Sequence, residues 1–250
     1  MKCKKMGFLL ALFASATLYT QAQLSLTSLN SAETVNFTGF DGSGFTSSPA
    51  AGQLDSDTWR VKGLSDGDMS FGDSFTTDDY ARGSSTGEEN TGGTYAFDTG
   101  SSNIGLGVQP GGSDFAPGTI TLKMTNNTGS TVTDFNIGYD INVFNDEDRA
   151  NSFNFAYSAD DVTYTDIAGL DFTSTEAAGS PSWNTVNRSS SISGLSLSDG
   201  DTFFFQWQGA DVSGGGFRDE FALDNVSVTA VPEPGHYAAL LGLFSLGFIY

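Results

Sequence analysis

Between residues 24 and 230 apolar and polar positions alternate with a period of two. No stretch there keeps a 3.6-residue apolar period for three turns. The longest run is Phe135, Ile137, Tyr139, Ile141 and Val143, interleaved with Asp134, Asn136, Gly138, Asp140 and Asn142. Phe153, Phe155 and Tyr157 make a shorter run, read as its partner across the polar turn at 145–148. Val35 and Phe37, Trp59 and Val61, and Tyr95 and Phe97 follow the same rule. So do Ile104, Leu106 and Val108, then Ile120, Leu122 and Met124, then Phe203, Phe205 and Trp207. Successive side chains of a strand point to opposite faces, so each run predicts a strand with one apolar and one wet face. Roughly eleven such strands predict an all-β fold, an antiparallel, jelly-roll-like β-sandwich over residues 23–230.

Turn chemistry divides the runs. Residues 127–129 and 158–161 are short, polar and suited to closing hairpins. Residues 41–56 and 72–93 are long and rich in Gly and Ser, and are expected to be mobile loops. One place breaks parity. Phe221 and Leu223 share one phase, Val226 and Val228 the other. Either a β-bulge at Asp224 or Asn225 brings all four into the core, or the two pairs face different layers.

The two ends read differently from the body. Residues 1–22 carry Lys2, Lys4 and Lys5, then a short apolar core, then Thr20-Gln21-Ala22, which predicts a helical secretory signal peptide removed by signal peptidase. Its removal takes away Cys3, the chain's one cysteine, so the mature protein has no disulfide, thiolate metal site or thiol nucleophile. Residues 231–250 begin Val231-Pro232-Glu233-Pro234 and continue as an apolar run expected to be helical.

Charge narrows the partners. The chain holds 30 Asp or Glu and 10 Lys or Arg. Only Glu233 and the three N-terminal lysines lie outside residues 24–230, which leaves 29 acids against seven cations. Such a surface repels phosphate backbones, so nucleic acid is not an expected partner. Dense acid is tolerable where salt screens it, and it also supplies the hard oxygen ligands that Ca²⁺ takes.

Catalytic signatures are missing. His236, the only histidine, lies in the tail, so the body has no His-based triad or metal centre. Lys62 and Lys123, the lysines left for Ser–Lys chemistry, are embedded in strand patterns. There is no phosphate-cradling or dinucleotide-binding glycine pattern. Paired carboxylates would suffice for a glycosidase, but the spaced Glu-x-Asp-x-x-Glu strand motif is absent. The body is therefore expected to bind rather than to catalyse. Exposed aromatics are the sugar-stacking candidates, with Trp183 first and Tyr80 second.

Resemblances add to this reading. Val231-Pro232-Glu233-Pro234 followed by an apolar span resembles a PEP-CTERM sorting signal. That likeness implies an exosortase-like membrane peptidase as partner and delivery to the surface or matrix of a Gram-negative bacterium, with C-terminal membrane anchoring on the way. Residues 237–250 number 14, short of the roughly 20 that span a bilayer. No basic cluster ends them, where members of that family normally end in Arg or Lys, so either the chain is truncated at Tyr250 or the signal is atypical. Phe221-Ala222-Leu223-Asp224-Asn225-Val226 resembles the closing strand of MAM-like domains and of several carbohydrate-binding modules. The likeness implies a structural Ca²⁺ held by Asp224 with Asp41 of the early Asn36–Asp41 segment. This chain departs from MAM-like domains at Thr38, where they carry an acid, and in lacking disulfides.

Four further segments occur together: Ala81-Arg82-Gly83, Gly92-Gly93-Thr94-Tyr95-Ala96-Phe97, Arg149-Ala150-Asn151-Ser152-Phe153 and Arg218-Asp219-Glu220-Phe221. This set resembles an uncharacterised bacterial secreted-domain family with no known activity. Arg82, Arg149 and Arg218 are then expected to tie acids or backbone carbonyls together. Three functions stay open: a non-catalytic surface module binding extracellular polysaccharide, a structural or adhesive Ca²⁺-dependent surface protein, and a hydrolase or lyase using two carboxylates.

Overall fold

The alternation becomes sixteen strands in the computed structural model, which describes residues 24–232. In chain order they are β1 (Leu24–Leu26), β2 (Ala32–Val35), β3 (Phe40–Thr46), β4 (Gly52–Asp55), β5 (Trp59–Lys62), β6 (Ser84–Ser85), β7 (Gly93–Asp98), β8 (Ile104–Gln109), β9 (Gly118–Asn126), β10 (Val132–Phe144), β11 (Arg149–Ser158), β12 (Thr165–Asp166), β13 (Phe172–Thr173), β14 (Trp183–Ile192), β15 (Thr202–Gly214) and β16 (Glu220–Pro232). The signal helix, the apolar C-terminal helix, Glu233 and Pro234 lie outside the described residues.

Two seven-stranded sheets face each other. In the front sheet β9, β15 and β11 lie side by side, β1 and β5 share the outer edge of β9, and β12 and β13 pair with β11. In the back sheet the order is β14, β10, β16, β8, β7 and β6, with β2 also on β16. The long strands alternate between layers: β9, β11 and β15 in front, β10, β14 and β16 behind. This is jelly-roll-like winding.

That winding corrects two expected hairpins. β10 pairs with β14 and β16, and β11 with β15, so the turn at 145–148 crosses between sheets. The turn at 127–129 crosses in the same way, from β9 to β10. Aromatic packing gives the reason: in opposite layers the two apolar faces meet, and Tyr139 stacks on Phe155 at 5.6 Å. The turn at 158–161 does join antiparallel neighbours, β11 and β12.

Aromatic side chains fill the core. Trp59 and Trp207 stack at 6.4 Å within the front sheet, and Tyr139 meets Trp207 edge-on at 5.3 Å from behind. Phe153 and Phe221 lie almost parallel at 5.4 Å. Tyr95 and Phe97 are the exception to the inward reading. They form a separate small cluster with Ala222, while Ala96 takes the place in the main core. Phe97 still reaches 0 % exposure because Trp183 and Tyr95 cover it.

The expected mobile loops are largely built into structure. Residues 41–56 contain most of β3 and all of β4, a short parallel pair. Phe45 exchanges both backbone hydrogen bonds with Phe75, at 2.8 and 2.9 Å, which pins the first loop to the second.

The parity break is a bulge. Gly138 faces Ser227, but the next paired residue, Asp140, faces Asp224, so β16 carries one extra residue. Asn225 absorbs it with a φ of +49°. Phe221, Leu223, Val226 and Val228 are all buried as a result. The last strand runs on into Val231 and Pro232, the start of the Pro-rich junction. They end β16, opposite Asp134 and Val132. Pro is tolerated there because the register with β10 is irregular between Val132 and Asp134, where the ladder is already interrupted.

Candidate functional site

A cleft of about 510 Å³ crosses the outer face of the front sheet. Strand register builds its floor. Lys62 of β5 faces Thr119 of β9, Thr119 faces Gln208 of β15, and Gln208 faces Asn154 of β11. These four side chains form one row across four adjacent strands, roughly 14 Å from end to end at normal strand spacing. All four are half-buried. A second row runs parallel: Arg60, Thr121, Gln206 and Ala156.

An ion pair raises a wall over the second row. Arg60 Nη1 and Nη2 donate to the two carboxylate oxygens of Asp161, at 2.6 and 2.7 Å. Asp161 lies in the β11–β12 connection, so the pair bridges β5 to the far side of the sheet. Tyr164 Oη donates to Asp161 Oδ1 at 2.6 Å and lines the cleft beside it. The Arg60 guanidinium also lies over the Phe71 ring at 4.4 Å.

Burial alone would raise the Asp161 pKa. The hydrogen bonds from Arg60 and Tyr164 and the charge of Arg60 outweigh it and hold the carboxyl below its usual range. The Tyr164 phenol is pushed up, first by burial and then by its bond to Asp161. Asp161 therefore stays ionised and fully engaged, which is unsuited to a general acid. The other acid lining the cleft, Asp68, accepts from the Gly63 N–H at 2.9 Å.

The floor is ordered but not saturated. Gln208 Nε2 donates to Gln206 Oε1 at 2.9 Å, and Gln206 Nε2 donates to Thr121 Oγ1 at 3.1 Å. Asn154 Oδ1 accepts no hydrogen bond. One end of the cleft is shaped by the facing residues Gly118 and Gly209, where a Cβ would come within 2.5 Å of Phe115.

The structure places the sequence-derived candidates elsewhere. Tyr80 is a correction: it is 0 % exposed, donates to Gly67 O at 2.5 Å and packs on Phe75 at 4.4 Å. Its ring, flanked by Gly-rich polar segments in the sequence, serves the core instead of a ligand. Trp183 is half-buried at the start of β14, on the other sheet from the cleft. Its Nε1 donates to Thr86 O at 2.8 Å, and its ring packs on Phe97 at 5.0 Å and Phe144 at 5.2 Å. It covers a satellite cluster.

Asp41 and Asp224 lie in different sheets, and each carboxylate is already hydrogen-bonded. Asp41 lies on the small β3–β4 sheet, where Oδ1 takes the N–H and hydroxyl of Ser43. Asp224 is buried in β16, with Oδ2 bonded to Asn103 Nδ2 at 2.8 Å and Oδ1 to the Asn225 N–H at 2.7 Å. Among the described residues no group of three or more His, Cys, Asp or Glu is placed to hold a metal ion.

The three arginines act as the expected ties. Arg149 Nη1 meets Asp211 Oδ2 at 2.5 Å, and Arg218 grips both oxygens of Asp211 at 2.6 Å. Arg82 joins Asp79 and donates to Gly92 O at 2.9 Å. The cleft residues were not singled out by sequence, because wet-face positions look alike along a strand. The one signal is a run of long hydrogen-bonding side chains at alternate positions: Arg60 and Lys62, Gln206 and Gln208.

No family model matches the sequence, and no curated protein matches it. Solved structures with a similar course include the K3 cleaved adhesin domain of Lys-gingipain from Porphyromonas gingivalis w83, at 14% identity, 79% of this chain, 98% of that chain and a TM-score of 0.42. The CBM22-1 xylan-binding domain of Paenibacillus barcinonensis Xyn10C matches at 11% identity, 57% of this chain, 82% of that chain and a TM-score of 0.36. A non-crystalline cellulose specific carbohydrate-binding module, CBM28, matches at 13% identity, 56% and 80% coverage and a TM-score of 0.37.

Proposed function

We propose that this protein is a non-catalytic, polysaccharide-binding β-sandwich that works at the cell surface or in the extracellular matrix. One observation carries the binding reading: the row Lys62, Thr119, Gln208 and Asn154, set across four neighbouring strands in an open cleft. Amide, hydroxyl and ammonium groups on a rigid sheet suit the hydroxyls of an extended sugar chain. The non-catalytic part is supported by Asp161, which Arg60 and Tyr164 hold ionised.

The address rests on sequence. The basic-then-apolar start at 1–22 supports export through signal peptidase, and Val231-Pro232-Glu233-Pro234 with its apolar tail supports recognition by an exosortase-like membrane peptidase.

Affinity electrophoresis through gels containing a panel of soluble polysaccharides tests the binding reading. Retardation by at least one polymer is expected. The double variant Gln208→Ala, Asn154→Ala should weaken that retention roughly tenfold or more, since each lost hydrogen bond is worth about 1 kcal/mol. Trp183→Ala should leave it unchanged. Loss of retention with Trp183→Ala alone would move the site to the back sheet.

A further inference from the structure

We infer that the cleft takes a polysaccharide bearing sparse anionic substituents, carboxylate or sulfate, and that Lys62 is the residue that reads them. The inference rests on the polysaccharide reading and names its ligand class.

It starts from where the cations are. Of the seven in residues 24–232, Arg60, Arg82, Arg149 and Arg218 are ion-paired. Arg188 donates to Asp171 O at 3.2 Å and lies over the Phe172 ring. The Lys123 ammonium rests over Phe71 at 4.7 Å. Lys62 is the one cation among the described residues whose side chain has no ion pair, hydrogen bond or ring contact. It is half-buried on the floor of the cleft.

An unmatched lysine is conspicuous where acids outnumber cations 29 to seven. Asp161 and Asp68 line the same cleft, and neither forms an ion pair with it. Asp161 is held by Arg60 and Tyr164, and Asp68 accepts from the Gly63 N–H. Lys62 acts on the Asp161 carboxylate only through space, its ammonium has no direct partner, and an anionic group entering the cleft would supply one.

The remaining charge limits how densely the ligand can be substituted. Arg60 and Lys62 are two residues apart on one strand, roughly 7 Å. Arg60 is matched by Asp161, so within that span Lys62 alone is left to act on a single substituent, over a Debye length of about 8 Å at physiological salt. A polymer charged at every sugar would meet the acid-rich surface on either side and be repelled.

The test uses the full-length chain and titration calorimetry. The polymers are uronate-bearing polysaccharides in native and carboxyl-reduced form, a sulfated galactan in native and desulfated form, and polygalacturonate. At least one sparsely substituted native polymer should bind, with Kd rising tenfold or more when its substituent is removed. Lys62→Gln should give a loss of similar size on the native polymer and none on the stripped one. Lys123→Gln should match wild type. The responding pair identifies carboxylate or sulfate. Equal binding of native and stripped polymers, with Lys62→Gln unchanged, would overturn the anionic class and leave polysaccharide binding intact. Tightest binding to polygalacturonate would overturn the sparse spacing. No binding to any member, charged or neutral, would remove the polysaccharide reading and this inference with it.

Discussion

Deleting Asn225 is expected to leave a chain that no longer folds to its native state. Val226, Val228 and Ala230 reach 0 % exposure only because the residue before them is bulged out of register. Without it, each slips one position and turns to the outer face, while Ser227, Thr229 and Val231 turn inward. The error spreads because β16 is paired on both sides, with β10 along one edge and with β2 and β8 along the other. Two valines at about 1.5–3 kcal/mol each, one alanine at about 0.8 kcal/mol and two buried hydroxyls at about 1–3 kcal/mol each sum to roughly 5–13 kcal/mol, comparable with the 5–15 kcal/mol total typical of a domain. Asn225→Gly is the control. Glycine adopts the positive φ freely, and the change removes only the exposed bond from Asn225 Nδ2 to Asp140 Oδ2. Circular dichroism and melting should show the deletion unfolded or aggregated, and the glycine variant native within about 1 kcal/mol. A deletion variant that melted like wild type would show that the register is set elsewhere.

The second large effect is alkaline. Glu220 is fully buried, and burial is the main reason its pKa rises to about 8; the neighbouring Asp146 carboxylate pushes it further the same way. Its Oε1 accepts from the Glu89 N–H at 2.6 Å, while Oε2 has no donor. Asp219, also buried, is raised to about 6. A raised acid binds its proton more tightly in the folded state than in the unfolded one. Stability therefore falls as pH climbs from the unfolded values near 4 through the folded values, and the penalty is complete above about 8. Asp161 and Asp211 act with the opposite sign. Hydrogen bonds from Arg60 and Tyr164 outweigh the burial of Asp161, and Arg218 with Arg149 holds Asp211 down, so their contribution is lost as pH falls through the folded pKa. The two effects together place maximal stability at about pH 4, above the folded values of Asp161 and Asp211 and where the penalty from Asp219 and Glu220 begins. Glu220→Gln keeps the shape and removes the ionisation. It should raise stability at pH 9 by on the order of a few kcal/mol, read as a higher melting temperature, with little gain at pH 5. Parallel pH curves for the two proteins would show that Glu220 is not the group responsible.

The sequence carried the architecture where periodicity was long and uninterrupted. Phe135 to Val143 alternates five times and becomes the centre of β10. The opposed phases of Leu223 and Val226 made the bulge legible, although not the choice between a bulge and two layers. Register with β10 makes that choice. Layer assignment was not legible, because a polar turn such as 145–148 looks the same whether it closes a hairpin or crosses between sheets. Tyr95 and Phe97 misled for a related reason: a second apolar cluster on an outer face has the same period as a core face. The site was hidden for a geometric reason. Lys62, Thr119, Gln208 and Asn154 are far apart in sequence and meet only through three strand pairings. Tyr80 was attractive as an aromatic in a polar neighbourhood, but its hydroxyl finds Gly67 O inside the fold.

The cleft on the front sheet as the polysaccharide site can be tested residue by residue. Backbone amide shifts of the isotope-labelled protein, followed during titration with a polysaccharide that retards it in gels, report where the polymer lies. The largest changes are expected at Lys62, Thr119, Gln208 and Asn154, with the amides around Trp183 still. Changes centred on Trp183, Phe97 and Phe144, with a silent cleft, would contradict it.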